Sequence, residues 1–229
     1  MEPTMAQAIE ESRVRLIIFG ATGRTGKPLV EQALASGYRV VAFVRDLRKL
    51  GCQHERLTVI QGDVTDPAAV EQAISGAEAV ISVLATSGSQ KVARTRPLTR
   101  GMQNILAAMK KHGIRRLIVS ASGIRQPGDL PDIRFKLLMT LVKHLVPESY
   151  EDTRNSIEVV RASDVDWTVV RMPAPTNDAG TGKVKAGYVN RTMGMRISRS
   201  GAAAFMLREL QAGEYLRQAP VVCNSNAND

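Results

Sequence analysis

Two cysteines, Cys52 and Cys223, are too few and too far apart for a disulfide framework or a thiolate metal site. They predict free thiols and a cytoplasmic protein. Three histidines, His54, His112 and His144, share no ligand spacing, so no metal is expected. Aromatic residues make up 4% of the chain, which leaves few flat faces for stacking bases. No apolar run reaches bilayer-spanning length. Residues 1–12, with Glu2, Glu10 and Glu11, lack the basic start and apolar centre of a signal peptide and predict a flexible polar tail. What remains, 44% apolar and 23% charged among 229 residues, is the composition and length of one soluble globular domain, here residues 13–229.

The charge is one-sided, with 31 Lys+Arg against 22 Asp+Glu. Such a surface attracts nucleic acid, membrane or small anions. Arg13, Arg24, Arg45, Lys91, Arg94, Arg115, Arg134, Lys183, Arg191 and Arg199 are scattered, with no polybasic tract. That argues against nucleic acid and membrane as partners and for small anionic ligands.

The most informative stretch is 14–45. Val14, Leu16, Ile17, Ile18 and Phe19 form an apolar run of strand length, followed at once by Gly20-Ala21-Thr22-Gly23-Arg24-Thr25-Gly26. Gly20 turns tightly off the strand, Gly23 lets a pyrophosphate approach the backbone, and Gly26 lets a helix pack closely on the sheet. Leu29, Val30, Ala33 and Leu34 recur at helical spacing, Gly37 stops the helix, and residues 39–44 resume as a strand. This is a βαβ unit whose helix N-terminus faces phosphates, with Thr22, Arg24 and Thr25 in the cofactor loop. The Gly-x-x-Gly-x-x-Gly spacing resembles the short-chain dehydrogenase/reductase superfamily.

The second strand ends in Arg45, with Arg48 and Lys49 beyond it. An NAD site carries an acidic residue there, whereas a 2′-phosphate needs positive charge, so NADP(H) is the expected cofactor. Asp46 also suits a helix N-cap, which would make the basic residues a solvated helix start. Residues 57–60 predict a third strand, with Asp63 and Val64 beyond it. Asp63 is placed either to accept from the adenine amino group or to close an Asx turn, and Asp66 before Pro67 suits a cap. Residues 67–75 read as helix and 79–84 as a strand running through Leu84 into Ala85-Thr86-Ser87-Gly88-Ser89, small residues suited to ribose or nicotinamide. Met102, Ile105, Leu106 and Met109 mark a helix ended by Gly113, and 115–119 a fifth strand. Beyond it Ser122 is the active-site candidate. Ser120 lies on the same face but deeper.

Phe135, Leu137, Leu138, Met139, Leu141, Val142, Leu145 and Val146 lie within 124–150, a substrate-side segment read as a lid or a dimer contact. Tyr150 and Arg154 stand four apart, one helical turn. Residues 165–170 predict a sixth strand, with Met172, Pro173 and Ala174 in a proline-fixed loop at its end. Residues 183–189 predict a short strand, 199–210 a helix, and 220–222 a final edge strand. Together these predict a three-layer α/β/α, Rossmann-type doubly wound parallel sheet in a single domain.

The glycine loop with Phe19, Val44-Arg45-Asp46, Gly62-Asp63-Val64, Asn104-Ile105-Leu106-Ala107-Ala108-Met109-Lys110-Lys111-His112-Gly113, Trp167-Thr168-Val169-Val170-Arg171-Met172-Pro173 and Ile197-Ser198-Arg199 resemble the NADPH-dependent flavin reductase/biliverdin-IXβ reductase family, an atypical short-chain reductase branch. The resemblance spans 14 to about 222. It implies hydride transfer from NADPH to a planar conjugated acceptor: a flavin, a biliverdin-like tetrapyrrole or a quinone. Ser122 falls at the family's active-site serine, Arg45 and Lys49 at its 2′-phosphate contacts, and Pro173 beside its nicotinamide. Gly201 departs from the family's usual acidic residue. Arg154 stands where the wider superfamily pairs a lysine with its tyrosine, so Tyr150 is either a proton donor or a pocket wall. Two other readings stay open: a ketone or sugar-nucleotide reductase using Tyr150 and Arg154, and a non-catalytic NmrA-like NADP(H) sensor acting through a protein partner. The chain is expected to be a monomer or homodimer.

Overall fold

The computed structural model describes residues 14–86, 90–122, 128–178, 180, 182–190 and 193–225, the side chains of Gln90 and Ser122 excepted. The expected tail, Ser87, Gly88 and Ser89, and residues 124–127 lie outside the described residues. In chain order the elements are β1 (Arg15–Phe19), α1 (Gly26–Ala35), β2 (Arg39–Val44), a 3-10 turn (Leu47–Lys49), β3 (Leu57–Gln61), α2 (Pro67–Ile74) and β4 (Ala79–Ser82). Then come α3 (Gln90–Ala93), α4 (Pro97–Lys111), β5 (Arg116–Ser122), α5 (Ile133–Leu145), α6 (Pro147–Arg161), β6 (Asp166–Met172) and β7 (Ala174–Thr176). The chain closes with β8 (Val184–Gly187), β9 (Arg196–Ser198), α7 (Arg199–Ala212) and β10 (Val221–Asn224).

Eight strands form one sheet in the order β3-β2-β1-β4-β5-β6-β10-β8, parallel except for the β10–β8 pair. The apolar runs explain the layers. Leu16 and Ile18 of β1 face one core with Leu29, Val30 and Ala33 of α1 and Ala203, Phe205 and Met206 of α7. Ile17 and Phe19 face the other, with Val70 and Ile74 of α2, Ile105 and Met109 of α4, and Ile157 and Val160 of α6. Alternation along one strand thus feeds both faces, giving a single-domain, doubly wound α/β/α fold.

Local signals set the boundaries. Asp66 accepts from Ala68 N at 2.9 Å, with Pro67 at the first helical position of α2. Gly37 takes φ 90° just past α1. Gly201 follows from the cap it serves: Ser198 Oγ accepts from Gly201 N at 2.9 Å, and a Cβ there would lie 2.8 Å from that oxygen.

Four expectations need correction. The fourth strand stops at Ser82, two residues early, although Val83 N still donates to Phe19 O at 2.9 Å. The fifth and sixth strands instead run longer, because their mutual register continues to Ser122↔Met172. Ala174 and Pro175 lie in β7, which pairs with β9, and only Pro173 separates β6 from it. The last strand is not an edge, since β10 lies between β6 and β8.

Within the segment expected to be a lid or dimer contact, Ile133–Leu145 form α5, capped by Asp132 through Arg134 N at 2.8 Å, and α6 begins at Pro147. Hydrogen bonding from the Arg134 guanidinium, outweighing the opposing effect of burial, lowers the Asp132 carboxyl to about 2. A carboxyl held below its ordinary value of about 3.9 stabilises above roughly pH 4, and that contribution is lost as pH falls through about 2. Hydrogen exchange in α5, normalised to intrinsic rates, is therefore expected to quicken relative to α1 across that acid window.

Candidate active site

Parallel pairing brings the C-terminal ends of β1 to β6 to one side of the sheet. Strand order reverses between β1 and β4: β2 and β3 are added to one side, β4, β5 and β6 to the other. A crevice at such a switch point is where open α/β sheets bind ligands.

The glycine loop forms the floor of this crevice. Gly20 has φ 84°, and a Cβ on it would lie 2.8 Å from Val83 O, so only glycine lets the β1 and β4 turns meet. Gly26 is packed harder still: a Cβ would overlap Gly20 O and stand 2.8 Å from Ala21 Cα. Gly23 N donates to Gly20 O at 2.9 Å, folding the loop so that Gly23 and Arg24 are its exposed tip. Thr25, the N-cap of α1, makes no side-chain cap, and the first turn holds no acidic residue. The helix N-terminus, the lack of an acid in its first turn and the tight backbone are the features an anion such as a pyrophosphate requires.

Cations gather at this crest. Arg45 and Lys49 are exposed beyond β2. Arg48 is not equivalent to them, because its guanidinium holds Asp46 at 3.0 and 3.1 Å while Asp46 caps the 3-10 turn. The helix-start reading thus holds for Asp46 and Arg48, while Arg45 and Lys49 stay exposed. Arg199, at the start of α7, donates to Asn177 Oδ1 at 2.6 Å. Burial, and then the positive charge of Arg24, push its guanidinium pKa down.

Asp63 closes an Asx turn, its Oδ1 accepting from Thr65 N at 2.8 Å and Thr65 Oγ1 at 2.7 Å. Those bonds, aided by Arg45 and Arg100, lower its carboxyl below the ordinary range. Gly62 is required beside it, since a Cβ would lie 2.6 Å from the Phe43 ring. Val64 is held from above: Asn104 Nδ2 donates to Val64 O at 2.9 Å.

The opposite wall is β5 and β6. Phe19, Ser82, Val119 and Val169 share one row of the sheet, so Ser122 and Met172 stand three residues further on, about 10 Å beyond that row. Ser120 is half-buried opposite Val170, and Met172 and Pro173 are buried beside half-buried Ala174. The Ser122 side chain lies outside the described residues. Leu84, Ala85 and Thr86 line the turn after β4, Ala85 exposed and the other two half-buried.

Tyr150 is half-buried near the start of α6. Arg154, one turn on, is 52% exposed and lies 3.7 Å from Glu151. Between them Asp152 is fully buried and accepts from Leu98 N at 3.0 Å, Thr99 N at 3.0 Å and Thr99 Oγ1 at 2.7 Å, so α6 caps α4 from across the chain. Thr86 Oγ1 reaches the same carboxylate at 3.3 Å. Residue by residue the motif reads as catalytic. In place, its middle acid is an architectural cap that Arg96, in left-handed conformation before Pro97, does not provide.

A second buried pair fixes the top of β6. Arg171 donates to both oxygens of Asp129, at 2.6 and 2.8 Å, and to Ala219 O at 2.6 Å. Both side chains are at most 1% exposed. Asp129 also accepts from Val189 N at 3.0 Å, which ties the residues before α5 to the β6 end. The signal for this pair was an arginine inside an otherwise buried strand, which demands an anionic partner.

The chain is 27% identical over 183 residues to an uncharacterised chloroplastic protein of Arabidopsis thaliana, covering 74% of this chain and 62% of that one. It is 28% identical over 123 residues to a 2-alkyl-3-oxoalkanoate reductase of Shewanella oneidensis, covering 53% and 32%. It thus spans less than two thirds of the length of either relative. Among solved structures, a short-chain dehydrogenase/reductase of Veillonella parvula in complex with NADP superposes with TM-score 0.75 at 21% identity, over 94% of this chain and 97% of that one. ChuY, an anaerobillin reductase of Escherichia coli O157:H7, superposes with TM-score 0.74 at 20% identity, over 93% and 98%. These two likenesses show the fold. A family model described as NAD(P)H-binding matches residues 20–212, and the chain belongs to that family.

Proposed function

We propose that the chain is an NADPH-dependent reductase of a planar conjugated acceptor: a flavin, a biliverdin-like tetrapyrrole or a quinone. Bound NADPH supplies the hydride. The residues position it: the Gly20–Gly26 turn, with Arg24 and Arg199, faces the diphosphate; Arg45 and Lys49 face the 2′-phosphate; Asp63 and Val64 face the adenine side. Leu84, Ala85, Thr86, Ser120, Met172, Pro173 and Ala174 flank the nicotinamide, and Ser122 orients the ring or the acceptor. Proximity in a walled crevice is the main contribution. A reducing compartment such as the cytoplasm suits the free Cys52 and Cys223.

The observation that carries the acceptor class is the position of Arg154. Its guanidinium lies 3.7 Å from Glu151 and is half exposed, so it is engaged elsewhere than as the ammonium-like partner that a catalytic tyrosine uses. An acceptor whose proton comes from solvent needs no such donor, and the likeness to an anaerobillin reductase is in keeping with this class. A second reading, reduction of a ketone with Tyr150 as proton donor, draws support from the oxoalkanoate reductase relative. The two separate on one substitution. Tyr150→Phe is expected to leave turnover of the best acceptor within about threefold, whereas loss of a working general acid lowers kcat by about 10²–10⁴. Steady-state NADPH oxidation against FMN, riboflavin, biliverdin isomers, quinones and a 3-oxoalkanoate checks both. Tight NADPH binding with no turnover across that panel would favour the sensor reading.

A further inference from the structure

The inner face of α5 is complete: Phe135 and Met139 pack with Val189, Met193, Val221 and Cys223. Its outer face is apolar as well. Ile133, Leu137, Leu141 and Leu145 follow at four-residue steps and are 66%, 64%, 54% and 66% exposed. Leu130 and Val146, 60% and 41% exposed, extend the apolar surface at its two ends. The four residues, three steps apart end to end, form one ridge about 18 Å long. The helix contains no Asp or Glu, and Arg134, Lys136, Lys143 and His144 are all exposed on it. By helical rotation Lys136 and Lys143 share one flank of the ridge. The nearest acids are engaged, Asp132 by Arg134 at 2.6 Å and Glu148 by Arg94 at 3.1 Å.

We propose that this face is a docking surface for an anionic phospholipid bilayer, with the aliphatic ridge at the headgroup boundary and Lys136 and Lys143 against the lipid phosphates. Charge decides the occupant. A second copy seated symmetrically on the ridge would bring the same acid-free basic helix against itself, whereas anionic headgroups complement it. A net charge of +9 favours approach to such a surface. The expectation of no membrane partner rested on the scatter of the basic residues and the lack of a polybasic tract; an apolar ridge flanked by two lysines on one helix supplies a local site that such a count over the sequence does not register. Among the described residues no helix is long and apolar enough to cross a membrane, but a helix lying in the interface needs only one apolar face.

The test is co-sedimentation of the full chain with phosphatidylcholine vesicles, with and without phosphatidylglycerol, at low and high salt. The expected result is binding that requires phosphatidylglycerol and weakens with salt. Lys136→Glu with Lys143→Glu should cut partitioning by more than about tenfold, since each basic residue near such a surface contributes roughly fivefold. Leu137→Asp with Leu141→Asp should remove binding, while far-UV circular dichroism and NADPH affinity stay unchanged. Failure of the wild-type chain to sediment with phosphatidylglycerol vesicles would overturn the proposal. So would unchanged binding by the ridge variant, or light scattering that shows a dimer which this variant splits.

Discussion

Asp129→Ala is expected to lower folding stability by about 3–5 kcal/mol, because it leaves the Arg171 guanidinium in the interior without its carboxylate. Neither side chain is more than 1% exposed, and arginine cannot shed its proton to escape the cost. The substitution also removes the acceptor for Val189 N, so the segment before α5 loses its tie to β6. Replacing both partners, Arg171→Met with Asp129→Leu, should recover most of the loss, since the penalty comes from a stranded charge rather than from the pair itself. Guanidinium chloride unfolding of wild type, single and double variants measures this as shifts in midpoint at constant slope. A single-variant loss below about 1 kcal/mol would show that Arg171 reaches water or another anion, contrary to its burial. Because Arg171 precedes Met172 and Pro173, the single variant should also raise the KM for cofactor more than the double variant does.

That pair marks where sequence reading stops. The glycine loop, the α1 stripe and the limits of β2 were legible because each is a local pattern: period, cap and turn within about ten residues. The wall of the site was less so. Ser120 and Ser122 read as a loop after the fifth strand because nothing in that strand says how far its partner runs, and register with Met172 extends it. The place of β10 inside the sheet depends on β8, more than thirty residues earlier, and the run of Val221, Val222 and Cys223 carries no trace of that pairing. Asp152 illustrates the same limit. Its neighbours Tyr150 and Arg154 drew the eye to catalysis, while its own role depends on α4, over fifty residues upstream. Arg48 and Lys49 were indistinguishable as charges, yet Asp46 engages one and leaves the other pointing to solvent.

This last distinction gives the cofactor its sharpest test. Arg45→Asp is expected to weaken NADPH binding by on the order of a hundredfold, the equivalent of losing about 3 kcal/mol of charge-assisted contact. Reversal of sign adds repulsion against the 2′-phosphate, so the loss should shrink as salt rises. NADH should be affected less than about threefold, because a carboxylate at the end of β2 can accept from a ribose 2′-hydroxyl. Lys49→Ala removes only a point charge and should cost roughly tenfold or less. Arg48→Ala breaks a surface pair with Asp46 and should change either cofactor by no more than about twofold, which controls for a general loss of positive charge. Fluorescence titration of NADPH and NADH against the three variants reads all of this. Equal losses for the two cofactors at Arg45 would remove the 2′-phosphate role and return the β2 end to a solvated helix start.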